Sequence, residues 1–253
     1  MKPMIHILHQ DNDLVAVNKP SGIKVHRGSF DTRREPFVLQ MVRDQLGQHL
    51  YPVHRLDKPT SGILVFALNP GAARSLSKSF ARRQVRKTYL AVVRGYIAEE
   101  GEVDHPLERS ANGETFDKSS RPALTRYLRL DTAELPVAVG RYATGRYSLV
   151  QVMPATGRMH QIRRHMRHLR HPIINDRQYG DNKHNRFFTD ELHCRRLLLA
   201  ATEIRFPHPR TRETTCLTAR LDDAFNAILN HMGWENAVPH RWRCSCGSSS
   251  SGF

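Results

Sequence analysis

Acidic residues are the scarce ones in this chain of 253 residues: 24 Asp and Glu stand against 39 Lys and Arg, leaving +15 at pH 7. So large an excess excludes an ordinary enzyme of small metabolites and calls for a polyanionic partner, nucleic acid or an anionic membrane. The membrane reading lacks its helix, since no basic amphipathic segment carries a large apolar face. Long hydrophobic runs are missing too; the longest apolar stretches have strand length, so no transmembrane span is expected. The first residues, Met1–Asp11, lack the unbroken apolar core of a signal peptide. Cysteine is rare, and Cys194, Cys216, Cys244 and Cys246 have no framework spacing, which fits a reducing compartment. A cytoplasmic protein is expected. Phosphate-cradling and dinucleotide-binding glycine motifs are absent, and so is an internal repeat.

What is present reads as alternating strands and helices. Ile5–Leu8 and Leu14–Asn18 look like paired strands. Residues 37–47 have helical apolar spacing and end at Gly47. Asn69 and Pro70 suit the start of a helix running to about Arg83. Strands follow at 89–95, 125–130, 146–153 and 196–204, and Asp222 with Asp223 suits the N-terminus of a last helix. Residues 98–123 read as a surface excursion or hairpin, and 175–190 as loop. The pattern predicts the α+β class, with a central mixed, mostly antiparallel sheet and flanking helices. One domain over 1–233 and a flexible tail over 234–253 are expected.

Three stretches carry chemistry. His54-Arg55-Leu56-Asp57-Lys58-Pro59-Thr60-Ser61-Gly62 is a polar loop between strand-like segments, with one acid among three cations. Asp57 there is a surface ion pair, or a carboxylate stabilised in its charged form and fit to be a nucleophile. Lys87-Thr88-Tyr89 opens a strand. Thr156-Gly157-Arg158-Met159-His160-Gln161-Ile162-Arg163 opens a basic helix over 157–171, whose apolar stripe is Met159, Ile162, Met166 and Leu169. Arg163 lies at the edge of that stripe. It snorkels to solvent or meets a carboxylate or carbonyls. His160, His165, His168 and His171 match no common zinc spacing, and the arginines between them would repel a dication, so no metal is expected.

These three stretches resemble, in order and spacing, the motifs of the RluA-type pseudouridine synthases, and the likeness runs from about Ile5 to Leu229, including Asn18-Lys19-Pro20-Ser21-Gly22. The resemblance implies that family's sheet fold and the rearrangement of a uridine into pseudouridine in RNA, without cofactor or metal. It implies Asp57 as nucleophile or acid–base centre, Tyr89 as platform for the uracil, Arg163 as partner of Asp57, and Arg55 as the residue filling the gap left by a flipped base. His54, Arg158, His160 and Gln161 are expected to bind substrate. Gly140-Arg141-Tyr142, the run His168–Pro172 and Tyr179-Gly180-Asp181 resemble members acting on tRNA at uridine 65 of the T stem. No small S4-type RNA-binding domain precedes the resemblance, and a monomer is expected. Ribosomal RNA, another tRNA position, or RNA binding without catalysis are the alternatives. Two departures stand out: Ala200 where histidine is usual, and Asn175 where glycine is usual before Asp176.

Overall fold

A computed structural model of the chain describes residues 4–27, 35–111 and 114–243. Strands β1 (His6–Gln10) and β2 (Leu14–Lys19) lead to helix α1 (Val38–Leu46), then β3 (Tyr51–Pro52) and β4 (Ser61–Ala67). Helix α2 (Pro70–Ala81) and β5 (Arg86–Arg94) follow, then β6 (Glu100–Asp104) and the hairpin of β7 (Leu107–Ala111) and β8 (Glu114–Arg121). The chain continues through β9 (Leu124–Leu135), β10 (Gly145–Pro154), α3 (Gln161–His168) and α4 (Asn182–Asp190). It ends with β11 (Leu199–Pro207), β12 (Thr214–Thr218), α5 (Asp223–His231) and two 3₁₀ turns.

The central sheet runs β1-β2-β4-β11-β5-β10-β9-β6, with β3 on β4 and β12 on β11. Among its described pairings β4 with β11 is the parallel one; the others are antiparallel. Helices cover both faces, so the central strands are apolar on both sides. In β2, Val15 and Val17 pack with Val38 and Val42 of α1, while Leu14 and Ala16 pack with Ala72 and Leu76 of α2. In β5, Ala91 and Val93 meet Ile162 and Met166 of α3, and Leu90 and Val92 meet the α5 side. Tyr89 packs against both the α1 and α3 clusters, which fixes the face on which the cleft forms.

Helix caps follow the chemistry of the sequence. Gly47 ends α1 in the left-handed region at φ 66°, Asn69 accepts the Ala72 N–H at the start of α2, and Asp222 accepts the Phe225 N–H at the start of α5. The excursion at 98–123 is an edge strand plus a hairpin.

The structure departs from expectation in four places. The basic helix is two turns, 161–168, because His160 is left-handed at φ 53° and the Gln161 side chain accepts the Arg158 N–H. Met159 therefore leaves the apolar stripe and lines the cleft. Within 175–190, α4 forms under the cap of Asp181 and buries Phe188, whose spacing among polar residues is too sparse to announce a helix. The 196–204 strand starts later, at Leu199, because Arg196 is drawn inward to Asp222. Residues 234–243, expected in the flexible tail, are packed: Trp234, Val238 and Trp242 join the α5 cluster, an apolar gain the flanking polar residues conceal. Cys244 and Cys246 lie outside the described residues. No helix among the described residues is long and apolar enough to cross a membrane.

Candidate active site

The Asp57 loop leaves β3 and enters β4, where Ser61 and Gly62 pair in parallel with Ala200 and Ala201. Gly62 has φ +106°, and a Cβ there would sit 2.0 Å from the Ala201 carbonyl oxygen. Only glycine lets the two strands approach so closely. The Lys19–Gly22 segment clamps the loop from the other side. The Lys58 carbonyl accepts the Gly22 N–H at 2.9 Å and the Lys19 ammonium at 3.1 Å, and Ser21 donates to the Pro59 carbonyl. Lys19 is completely buried, and burial with the nearby Arg196 charge pulls its pKa down to about 7 although Asp57 opposes the shift.

Arg163 projects from α3 to the loop. Its Nε and Nη2 donate to the two carboxylate oxygens of Asp176 at 2.7 and 2.8 Å, and Nη1 reaches Asp57 at 3.3 Å. Asp57 is thus the more exposed partner, 18% against 1% for Asp176. Burial opposes the guanidinium charge, but the Asp176 hydrogen bonds and charge outweigh it and hold Arg163 above its ordinary range. Burial likewise works against Asp176, and Arg163 outweighs it and keeps that carboxyl low. Gln178 and Tyr179 backbone N–H groups also bond to Asp176. The Arg163 guanidinium lies 5.1 Å from the Tyr179 ring centre. Tyr179 Oη is 3.1 Å from His160 Nδ1, and His160 Nε2 is 3.9 Å from Asp57. Asp57, Arg163, Tyr179 and His160 form one closed circuit.

Asp57 stands where two lobes of a cleft meet. The first, about 590 Å³, is walled by Val53, Phe80, Val85, Tyr89, Ile162 and Leu199. The second, about 1240 Å³, is lined by Arg55, Arg177 and Arg195 among others. Tyr89 is held as the neutral phenol, because burial and then the Asp57 charge push its pKa well up. Lys87, lowered to about 8 by burial, donates to the Thr156 carbonyl at 2.9 Å and ties the loop before α3 to β5.

Every expected site residue reaches this region, but not all face the cleft with free polar atoms. Arg55 is exposed and lines both lobes. Arg158 donates to the Pro122 carbonyl at the mouth. Two residues expected to bind substrate line the first lobe but turn polar atoms into the fold. Gln161 is buried; its Oε1 accepts from Thr156 and Arg158, and its Nε2 donates to the Leu124 carbonyl and Thr125. Its four hydrogen bonds tie the start of α3 to the preceding loop and to β9. His54 turns Nε2 inward to accept the Val65 N–H at 2.9 Å and stacks on Phe80, and burial followed by the Lys87 charge lowers its pKa to about 3.

Asp176 and Tyr179 carry the resemblance in the sequence but were not expected in the site, since the stretch holding them looks like loop; an acid amid the cations of 170–177 was the available signal. Asn175 is left-handed at φ 61°, a region that asparagine, like glycine, tolerates. Ala200 is buried beside Leu90 and Leu198, away from the cleft. For metals, the described residues bring Asp11, Asp13 and His208 together, but Arg210 already holds Asp13 and His208 already bonds Asp11.

Residues 13–168 match the family described as RNA pseudouridylate synthase. A tRNA pseudouridine synthase C of Yersinia pestis is 47% identical over 242 residues, covering 94% of each chain. One from Haemophilus influenzae is 46% identical over 238 residues, covering 92% of this chain and 100% of its own. A third, from Pectobacterium carotovorum, is 47% identical over 241 residues; the match covers 93% of this chain and 64% of that longer relative. Among solved structures, human RNA pseudouridylate synthase domain containing 1 has a TM-score of 0.67 at 28% identity, over 89% of this chain and 87% of its own. Human RNA pseudouridylate synthase domain containing 4 also has a TM-score of 0.67, at 27% identity, over 90% and 93%.

Proposed function

The chain belongs to the RNA pseudouridylate synthase family, and from that premise we propose that it isomerises uridine 65 in the T stem of tRNA with Asp57 as nucleophile. The single observation that carries the catalytic role is the Asp57 carboxylate at the join of the two lobes, held from its buried side by Arg163. The relatives named tRNA pseudouridine synthase C support tRNA as the substrate.

A uridine in a stem must leave its stack before any side chain reaches C1′. Its base then enters the first lobe, against the Tyr89 ring and the apolar wall. The N1–C1′ bond breaks and a C5–C1′ bond forms, and the proton leaving C5 is balanced by one gained at N1. Nothing is oxidised or released, so the chemistry requires no cofactor or metal. A carboxylate serves by attacking C1′ or C6, or by assisting departure of the base. Arg163 fixes its direction and supplies positive charge without competing for the reacting oxygen, since Asp176 takes the other two guanidinium donors. Tyr89 stays protonated and offers a ring face and an O–H, not a base. Arg55, exposed across both lobes, fills the vacated position in the stem. His160 and Arg158 line the mouth and contact the RNA there. The enzyme works as a cytoplasmic monomer.

The test is carbodiimide primer extension on tRNA transcripts after incubation with wild type or Asp57→Asn. The expected stop reports position 65, appears with wild type only, and is lost with a cytidine-65 transcript. A stop elsewhere in tRNA, or only in ribosomal RNA, overturns the substrate assignment. A stop that persists with Asp57→Asn overturns the nucleophile.

A further inference from the structure

Beyond the residues it shares with the first lobe, the second lobe has no task in the chemistry just described, yet it is the larger of the two. Its acids, Asp57 and Asp176, are both engaged by Arg163. Arg196 is turned inward, to Asp222 and to the Leu197 and Leu199 carbonyls. Among the arginines of the lining that leaves Arg55, Arg177 and Arg195, all exposed and with no hydrogen bond or ion pair to another described residue.

The backbone beneath two of these arginines is fixed. Arg177 follows Asp176, which is locked by Arg163 and by two backbone N–H groups of the same turn. The left-handed Asn175 before it is held through Asn185 and the Cys194 carbonyl. Arg195 adjoins the inward Arg196 and the buried Cys194. The Asn175–Cys194 hydrogen bond, at 2.7 Å, ties the two segments to each other. Two unpaired guanidiniums on tied, rigid backbones beside a reactive carboxylate fit neither stability nor base recognition. Planar guanidiniums of this kind suit phosphate oxygens.

We infer that the second lobe is a phosphodiester-binding groove, in which Arg177 and Arg195 hold the RNA backbone adjoining the target uridine while its base occupies the first lobe. The inference rests on the RNA substrate proposed above and adds the path of the strand. Division of labour between an apolar base lobe and a cationic backbone lobe lets the phosphates supply affinity without sequence.

The experiment measures equilibrium binding of a tRNA transcript by filter retention from 50 to 300 mM salt, in the Asp57→Asn background. Arg177→Ala/Arg195→Ala is compared with Arg212→Ala, an arginine that lines neither lobe. Each lost phosphate contact removes about 0.7–0.9 from the slope of log K against log salt. The double variant is therefore expected to lose about 1.5 from that slope and to bind about 100-fold more weakly at low salt, from roughly tenfold per charged contact. Arg177→Lys/Arg195→Lys should recover most of the slope but only part of the affinity, and Arg212→Ala should match the background. A double alanine variant with unchanged slope and affinity within twofold overturns the inference. Failure of the substrate reading registers separately, as absence of pseudouridine in the same transcript treated with wild type.

Discussion

Asp176→Asn is the perturbation that best separates the roles of the two acids around Arg163. The substitution keeps shape and volume but replaces one carboxylate oxygen by an amide nitrogen. If the remaining oxygen keeps the Gln178, Tyr179 and Arg163 Nη2 donors, the new amide faces Arg163 Nε across 2.7 Å, donor against donor. If the amide flips, three donors lose their acceptor instead. Either way the guanidinium, 5% exposed, keeps one full carboxylate partner, Asp57, at 3.3 Å. Removing one member of a buried pair costs about 3–5 kcal/mol. Because one hydrogen bond survives, we expect about 3 kcal/mol in urea unfolding. Arg163 should then turn toward Asp57 and shift its carboxylate from the substrate-facing direction, lowering turnover about 10- to 100-fold, since each tenfold corresponds to about 1.4 kcal/mol of barrier. In a cycle with Arg163→Met, the coupling between positions 163 and 176 should reach about 2–3 kcal/mol. A variant within 1 kcal/mol of wild type, with equal turnover, refutes the reasoning.

Gly62→Ala should be the most disruptive small change. Its methyl overlaps the Ala201 carbonyl at 2.0 Å in a left-handed backbone, so separation of β4 from β11 and a loss above about 3 kcal/mol are expected in thermal unfolding. Gln161→Leu takes the acceptor from the Thr156 O–H and the Arg158 N–H and the donor from Thr125, while the Leu124 carbonyl keeps the Ala155 N–H; chemical unfolding should show a loss of about 2–4 kcal/mol. His54, depressed to about 3 by burial, must stay neutral in the fold, while the unfolded chain takes up its proton below about pH 6.5. Its contribution is thus complete above pH 6.5 and falls by up to about 1.4 kcal/mol per pH unit as pH drops toward 3. His54→Gln, which can still accept the Val65 N–H, should flatten the stability profile between pH 6.5 and 5; an unchanged slope would count against a neutral inward ring.

The sequence was legible where a local rule determines the outcome. Gly47, Asn69 and Asp222 mark helix ends through backbone groups within a few residues, and the alternation in β2 and the unbroken run in β4 follow from which faces are covered. The net charge announced a polyanionic partner, and three spaced motifs brought Asp57, Tyr89 and Arg163 forward together. Tertiary structure alone decided the rest. Asp176 and Asp57 are 119 residues apart in the chain yet share one guanidinium, and which acid takes two donors depends on depth, which no local pattern records. His54 Nε2 and the whole Gln161 amide sit in the motifs but turn inward, because the strands and turns around them have backbone groups to satisfy. Trp234 and Trp242 are buried only because α5 and β5 present an apolar face to them. Local chemistry fixed the elements and the reactive groups; burial and approach across the chain fixed their roles.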